Sequence, residues 1–195
     1  MRIAVSGTHS VGKSTMVNDF VQAFPNYIHE EEPYRALRDY YNIKFGKEST
    51  RFCNGLQLYY SISRAKQYCA NTCDVIFDRC PVDYIAYSKY TANYRETDID
   101  DTFIESFVTP VKEALSFIDI LLFVPITEKH PVAFEEDGIR PTDRQYRIEV
   151  DDIFKKIYYE NAYDVMPPNP PKLVEIWGNR EERIAKINQA ILEFL

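Results

Sequence analysis

MRIAVSGTHSVGKST, residues 1–15, decides how the rest of the chain is read. Arg2–Ser6 is an apolar run of strand length. Gly7, Gly12, Lys13 and Ser14 then complete G-x-x-x-x-G-K-[ST], the spacing of a phosphate-binding loop. Gly7 and Gly12 permit positive φ and close backbone approach, so successive N–H groups can turn toward a polyphosphate. Lys13 offers a point charge to the β- and γ-phosphates and Ser14 a hydroxyl for Mg²⁺, while the helix opening near Lys13 adds the positive end of its dipole. The candidate nucleotide-binding set is therefore Gly7, Thr8, His9, Ser10, Val11, Gly12, Lys13, Ser14 and Thr15. His9 can touch phosphate, although filling the loop explains it as well. Thr15, Met16, Val17, Phe20 and Val21 continue at helical spacing, so the motif has a strand before it and a helix after it.

Outward from this loop, 195 residues suggest one domain, 1–195, with room for a substantial core. A formal net charge of −7 disfavours nonspecific binding to nucleic acid or anionic membranes, which need a basic surface. No apolar run reaches the length of a membrane span, and the early phosphate loop leaves no room for a signal peptide, so a cytoplasmic protein is expected. Cys53, Cys69, Cys73 and Cys80 fit reduced thiols. Cys69 and Cys73 could hold one side of a metal site, but small buried side chains are the plainer reading.

Strand and helix signals alternate throughout. Short strands are expected at 27–29, at 75–77 running into Asp78, at 118–124 and at 172–177. Helices are expected at 34–41, at 50–71 with Phe52, Leu56, Tyr59 and Ile62 on the inner face, through Tyr84, Tyr87 and Tyr90, at 100–117 with a bend at Pro110, from Thr142-Asp143-Arg144-Gln145 to about 162, and at the C-terminus after the Asn179 and Glu182 capping signal. This alternation implies a parallel sheet covered on both faces.

Ligands of such sheets bind beyond the carboxyl ends of the strands. Asp78 has the position of an acid that holds Mg²⁺ directly or through water; capping a helix or pairing with an arginine are the alternatives. Arg79 can clamp a phosphate, or simply pair with Asp78 or Glu32. Glu31 and Glu32 offer a base for an attacking hydroxyl, with a solvated charge run as the competing reading; Glu32 is preferred because Pro33 restricts its backbone. Arg140, Arg144 and Arg147 lie on an aperiodic stretch running into a helix, the last two at i,i+3. Charge delivered to a transferring phosphoryl while water is excluded would suit an arginine-bearing lid at about 128–147; a solvated helix face is the competing reading.

With these residues in place the chain resembles the P-loop NTPases of the nucleoside- and nucleotide-kinase type, and within them the small "AAA domain" proteins related to the bacterial nicotinamide-riboside kinase domain. The resemblance rests on residues 7–14, on Glu32-Pro33-Tyr34-Arg35, on Phe77-Asp78-Arg79-Cys80-Pro81-Val82-Asp83, on Asp137-Gly138-Ile139-Arg140, and on Gly178 with Glu182-Arg183. It implies a three-layer α/β/α fold, a five-stranded parallel sheet of order 2-3-1-4-5, and an adenine site near Gly178. It also implies that Glu32 serves a sugar hydroxyl, as the Glu-Pro pair does in deoxynucleoside kinases, and that Gln57 reads a base edge. Tyr34, Tyr59, Tyr60 and Tyr84 are further candidates for an acceptor pocket.

Three functions follow as expectations. The first is Mg-ATP- or Mg-GTP-dependent phosphoryl transfer to a small nucleoside- or nucleotide-like acceptor, with Lys13, Glu32, Asp78, Arg79, Arg140, Arg144 and Arg147 catalytic and Ser14 and Asp78 on the metal. The second is a nucleotide-dependent switch that hydrolyses slowly and presents its lid to a protein or lipid partner. The third, a polynucleotide 5′-kinase, would need a basic channel that the acidic composition disfavours.

Overall fold

The computed structural model describes residues 1–70, 73–131 and 143–195. Five strands, β1 (Arg2–Ser6), β2 (Ile28–Glu30), β3 (Val75–Asp78), β4 (Ile120–Phe123) and β5 (Lys172–Glu175), form one sheet in the order β2-β3-β1-β4-β5. Every neighbouring pair is parallel. The parallel sense is that read from the alternation of strands and helices, and the order is that implied by the family resemblance.

Alternation along the strands sorts the core into two layers. Ala4, Phe77, Leu121 and Phe123 face one side, where α3 (Arg51–Cys69), α4 (Asp83–Tyr94), α5 (Asp101–Leu115) and α6 (Arg144–Glu160) pack. Ile3, Val5, Ile76, Ile120 and Leu122 face the other, under α1 (Lys13–Ala23) and α7 (Arg180–Phe194). These strands are buried on both faces, which is why they read as unbroken apolar runs. A short α2 (Pro33–Leu37) follows β2. Pro33 suits the first turn of α2, where no N–H is required.

Several boundaries and one face depart from expectation. α2 ends at Leu37 rather than near 41, and α5 ends at Leu115 rather than at 117. On α3 the buried side chains are Cys53, Asn54, Gln57, Leu58, Ser61, Ala65 and Tyr68, while Phe52 and Tyr59 are 59% and 56% exposed. The expected inner face is thus rotated, because α3 turns polar side chains inward onto a cleft. Cys69 and Cys73 are exposed thiols and not small core side chains, since they flank the open end of α3; Cys53 and Cys80 are buried. Thr142 of the expected capping signal lies outside the described residues, but Asp143 caps α6 by accepting from Gln145 N at 2.8 Å. Asn179 and Glu182 form a reciprocal capping box on α7. Among the described residues no helix is long and apolar enough to cross a membrane.

Candidate active site

The parallel order brings the C-terminal ends of β1 and β3 side by side, with Val5 in register with Asp78. The chain leaves β1 at Ser6 and turns at Gly7, whose φ is 137°. A Cβ there would lie 2.6 Å from the carbonyl oxygen of Val124, so the turn admits only glycine. Gly12, at φ 78°, ends the loop as the N-cap of α1. Lys13 is buried and its Nζ donates back to the Thr8 carbonyl oxygen, closing the loop on itself. Ser14 is half-buried at the first turn of α1 and Thr15 is exposed.

The start of α6 is docked on this loop. Thr8 Oγ1 donates to the Arg147 carbonyl oxygen at 3.0 Å, and the buried His9 ring packs on Tyr146 with centroids 4.5 Å apart. Arg147 is largely buried, and burial pulls its guanidinium below the usual arginine range. Arg144, one turn earlier, is exposed, so the two i,i+3 arginines occupy different surroundings. Arg140 lies outside the described residues.

Arg79 is the hub of the site. It is 5% exposed and sits at φ 139°, a strained backbone for an arginine. Its Nε donates to Glu32 Oε1 at 2.9 Å, and its Nη1 donates to the Gly7 carbonyl oxygen at 3.0 Å, to Tyr87 OH at 3.1 Å and to Asp83 Oδ2 at 3.2 Å. Burial opposes its charge, but Tyr87, Glu32, Asp83 and Asp78 outweigh burial and hold it firmly protonated. One guanidinium thus ties the phosphate loop to Glu32, the residue that caps α2.

Behind Arg79 runs a buried polar chain that sequence reasoning did not assign. Asp83 is fully buried and accepts from Ser6 Oγ, which is also paired with Tyr158 OH. Burial pushes the Asp83 carboxyl up to about 6, against the pull of Arg79 and Lys13. An acid in the first turn of a helix looks like a dipole partner, and only the Arg79–Asp83 spacing of i,i+4 hints at the ion pair.

Asp78 is 3% exposed, and among the described residues its Oδ1 has no hydrogen-bond partner. A buried carboxylate oxygen left open is costly unless something binds it. Among the described residues no three His, Cys, Asp or Glu side chains converge as a self-sufficient metal cage. A hydroxyl and one carboxylate beside a phosphate loop instead suit Mg²⁺, which keeps waters and takes its remaining ligands from phosphates.

Arg79 also lines a narrow cleft, together with Glu32, Phe45, Asn54, Gln57, Tyr84 and Tyr87. Asn54 is fixed by Ser49 Oγ, which donates to its Oδ1 at 2.7 Å, and by its own Nδ2, which donates to Ser88 Oγ at 3.0 Å. Gln57 Nε2 donates to the Cys53 carbonyl oxygen at 3.1 Å. Of the sequence candidates, Gln57 and Tyr84 line this cleft. Tyr34 packs instead on Phe45, Tyr59 is exposed on the outer face of α3, and Tyr60 borders a separate crevice beside Glu31 and Asp78.

The turn after β5 approaches the phosphate loop from the other side. Gly178, at φ 106°, accepts from Arg183 Nε at 3.0 Å, and Arg183 Nη1 donates to the Val11 carbonyl oxygen at 2.9 Å. Trp177, the single tryptophan, stacks on the His130 ring at 4.6 Å and has Lys186 Nζ over its ring at 3.4 Å.

Three solved structures share this fold over nearly the whole chain. Deoxyadenosine kinase from M. mycoides, with dCMP and dCDP bound, is 16% identical with a TM-score of 0.64, covering 100% of both chains. NadR protein in complex with NR is 15% identical at 0.66, covering 96% of this chain and 50% of that one. Thymidylate kinase from Candida albicans is 14% identical at 0.62, covering 98% and 91%. No curated protein matches in sequence. A family model described as "AAA domain" matches residues 2–183, from the first strand to the arginine that reaches back to Val11. The chain therefore belongs to the AAA domain family, with the fold that these nucleoside and nucleotide kinases share.

Proposed function

We propose that this chain, residues 1–195 acting as one unit, is a cytoplasmic kinase that moves the γ-phosphoryl group of Mg-ATP to a hydroxyl or phosphate of a small nucleoside- or nucleotide-like acceptor. The observation that carries the proposal is Arg79, buried between the Gly7 carbonyl oxygen and Glu32, and lining with Glu32 the cleft of Gln57 and Tyr84. A hydrolytic switch has no need of a buried carboxylate facing a second cleft. The kinases among the structural neighbours support the same class.

In this reading Lys13 and the amides of residues 7–15 hold the polyphosphate, with the base near Gly178. Ser14 and Asp78 would hold Mg²⁺, which neutralises charge on the phosphates. The acceptor lies in the Gln57 and Tyr84 cleft. Glu32 takes the proton of its hydroxyl as the oxygen bonds to the γ-phosphorus and the bond to the β,γ-bridging oxygen breaks, releasing ADP. Arg79 and Arg147, with Arg140 and Arg144 on a lid at about 128–147, stabilise the charge that spreads over the transferring group. GTP is the competing donor.

The test is ADP production from Mg-ATP against nucleosides, nicotinamide riboside and nucleoside monophosphates, with Mg-GTP in parallel. Turnover is expected only with an acceptor, and Lys13→Ala abolishes it. Glu32→Gln is expected to lower kcat by about 10²- to 10⁴-fold with donor affinity nearly intact. Slow turnover indifferent to every acceptor would replace the kinase by the switch, and an unchanged kcat in Glu32→Gln would remove Glu32 as the base.

A further inference from the structure

Arg183 holds its charge in an unusual place. It sits one turn into α7, is 6% exposed, and donates to two backbone carbonyl oxygens, Gly178 at 3.0 Å and Val11 at 2.9 Å. Among the described residues no carboxylate pairs with it, and burial alone acts on it, pulling its guanidinium below the usual arginine range. Arg180, on the same helix, shows the ordinary alternative: it is exposed and forks onto Asp19. A buried cation matched only by neutral carbonyls is electrostatically incomplete, and an anion nearby would complete it.

The nearest place for an anion is the phosphate loop itself. Arg183 Nη1 lies 3.2 Å from where a Cβ of Gly12 would stand. The carbonyl it binds, that of Val11, belongs to the same peptide unit as the Gly12 N–H. Among the described residues that N–H has no acceptor of its own. A charged donor on the oxygen of a peptide draws electron density from the nitrogen, so the amide hydrogen becomes a stronger donor to whatever it faces.

We infer that Arg183 is a positioning residue of the phosphate site, which from behind the loop polarises the Val11–Gly12 peptide and strengthens its N–H toward the polyphosphate of a bound nucleotide. It touches no substrate and acts through that one peptide. Its other bond, to Gly178, holds the turn after β5 in register with the same peptide. The inference rests on the phosphate loop binding a nucleotide, as proposed above.

The experiment measures binding of ATP and of inorganic tripolyphosphate, without Mg²⁺, to the intact chain and to two variants. Arg183→Lys keeps the charge, and Arg183→Gln keeps a donor without it. Arg183→Gln is expected to weaken both ligands by about the same factor, roughly tenfold or more, because the lost effect lies at the phosphates they share. Arg183→Lys is expected to recover most of that loss. In the nucleotide-free protein, the Gly12 amide proton resonance should move upfield in Arg183→Gln and less so in Arg183→Lys, a readout available even if binding is compromised by a loosened fold. Loss confined to ATP, with tripolyphosphate unaffected, would make Arg183 a strut for the base-side turn and overturn the inference. Equal affinities in all three proteins would overturn it as well. Failure of the unaltered chain to bind either ligand would instead overturn the phosphate-site reading on which it stands.

Discussion

At the scale of single residues, the site is held by groups whose backbone and burial leave no substitute. Gly7 combines φ 137° with a carbonyl 2.6 Å from its missing Cβ, so Gly7→Ala must either displace Val124 or unwind the turn. We expect a loss on the order of 3 kcal/mol, read as a fall in Tm, and an unchanged Tm would show that the turn relaxes freely. Asp83 gives a prediction in pH. Its carboxyl is raised from 3.8 to about 6, so the folded state holds the proton more tightly than the unfolded chain. That contribution to stability is complete below about pH 4 and is lost as pH rises through about 6, amounting to something on the order of 3 kcal/mol. Asp83→Asn cannot titrate. The Tm of the natural chain minus that of Asp83→Asn should therefore shrink from pH 4 to pH 7, and a difference that grows would reverse the assignment.

At the scale of elements, the helices present side chains by their ends. α7 begins with the Asn179–Glu182 box and carries Arg183 one residue further, so the cap sets where that guanidinium points. Asn179→Ala is expected to remove about 1 kcal/mol, a drop of a few degrees in Tm, and no change would mean the turn at Gly178 holds α7 unaided. Both this capping box and β1 with its loop were legible in the sequence, because caps and glycine turns are local. The face of α3 was not. Periodicity favours the aromatic Phe52 and Tyr59 as the inner side, but α3 buries Asn54, Gln57 and Ser61, since part of what it covers is a polar cleft. Hydrophobic patterning finds cores and passes over cavities. Asp83 and Arg183 were missed for a related reason: their partners Ser6, Tyr158 and Val11 are 75 or more residues away in sequence, and no local pattern announces such a pair.

For the molecule as a whole, the parallel sheet gathers the loop after β1, the acids after β2 and β3 and the turn after β5 at one edge. Any ligand held there bridges elements that are distant in the chain, so binding couples to global stability. Mg-ATP at a hundred times its Kd is expected to add about 2.7 kcal/mol, seen as a rise of a few degrees in Tm that Lys13→Ala abolishes. A rise of the same size in Lys13→Ala would place the nucleotide elsewhere.

Trp177, flanked by His130 and Lys186 and followed at once by Gly178, gives this edge its own optical reporter. With 15 tyrosines and one tryptophan, the long-wavelength emission of the protein originates from this single stacked indole. Its intensity and colour depend on contact with the imidazole and the ammonium packed on it. A movement of the turn after β5 that parts either contact is thus visible as a change of fluorescence in the unlabelled chain, on the timescale of mixing.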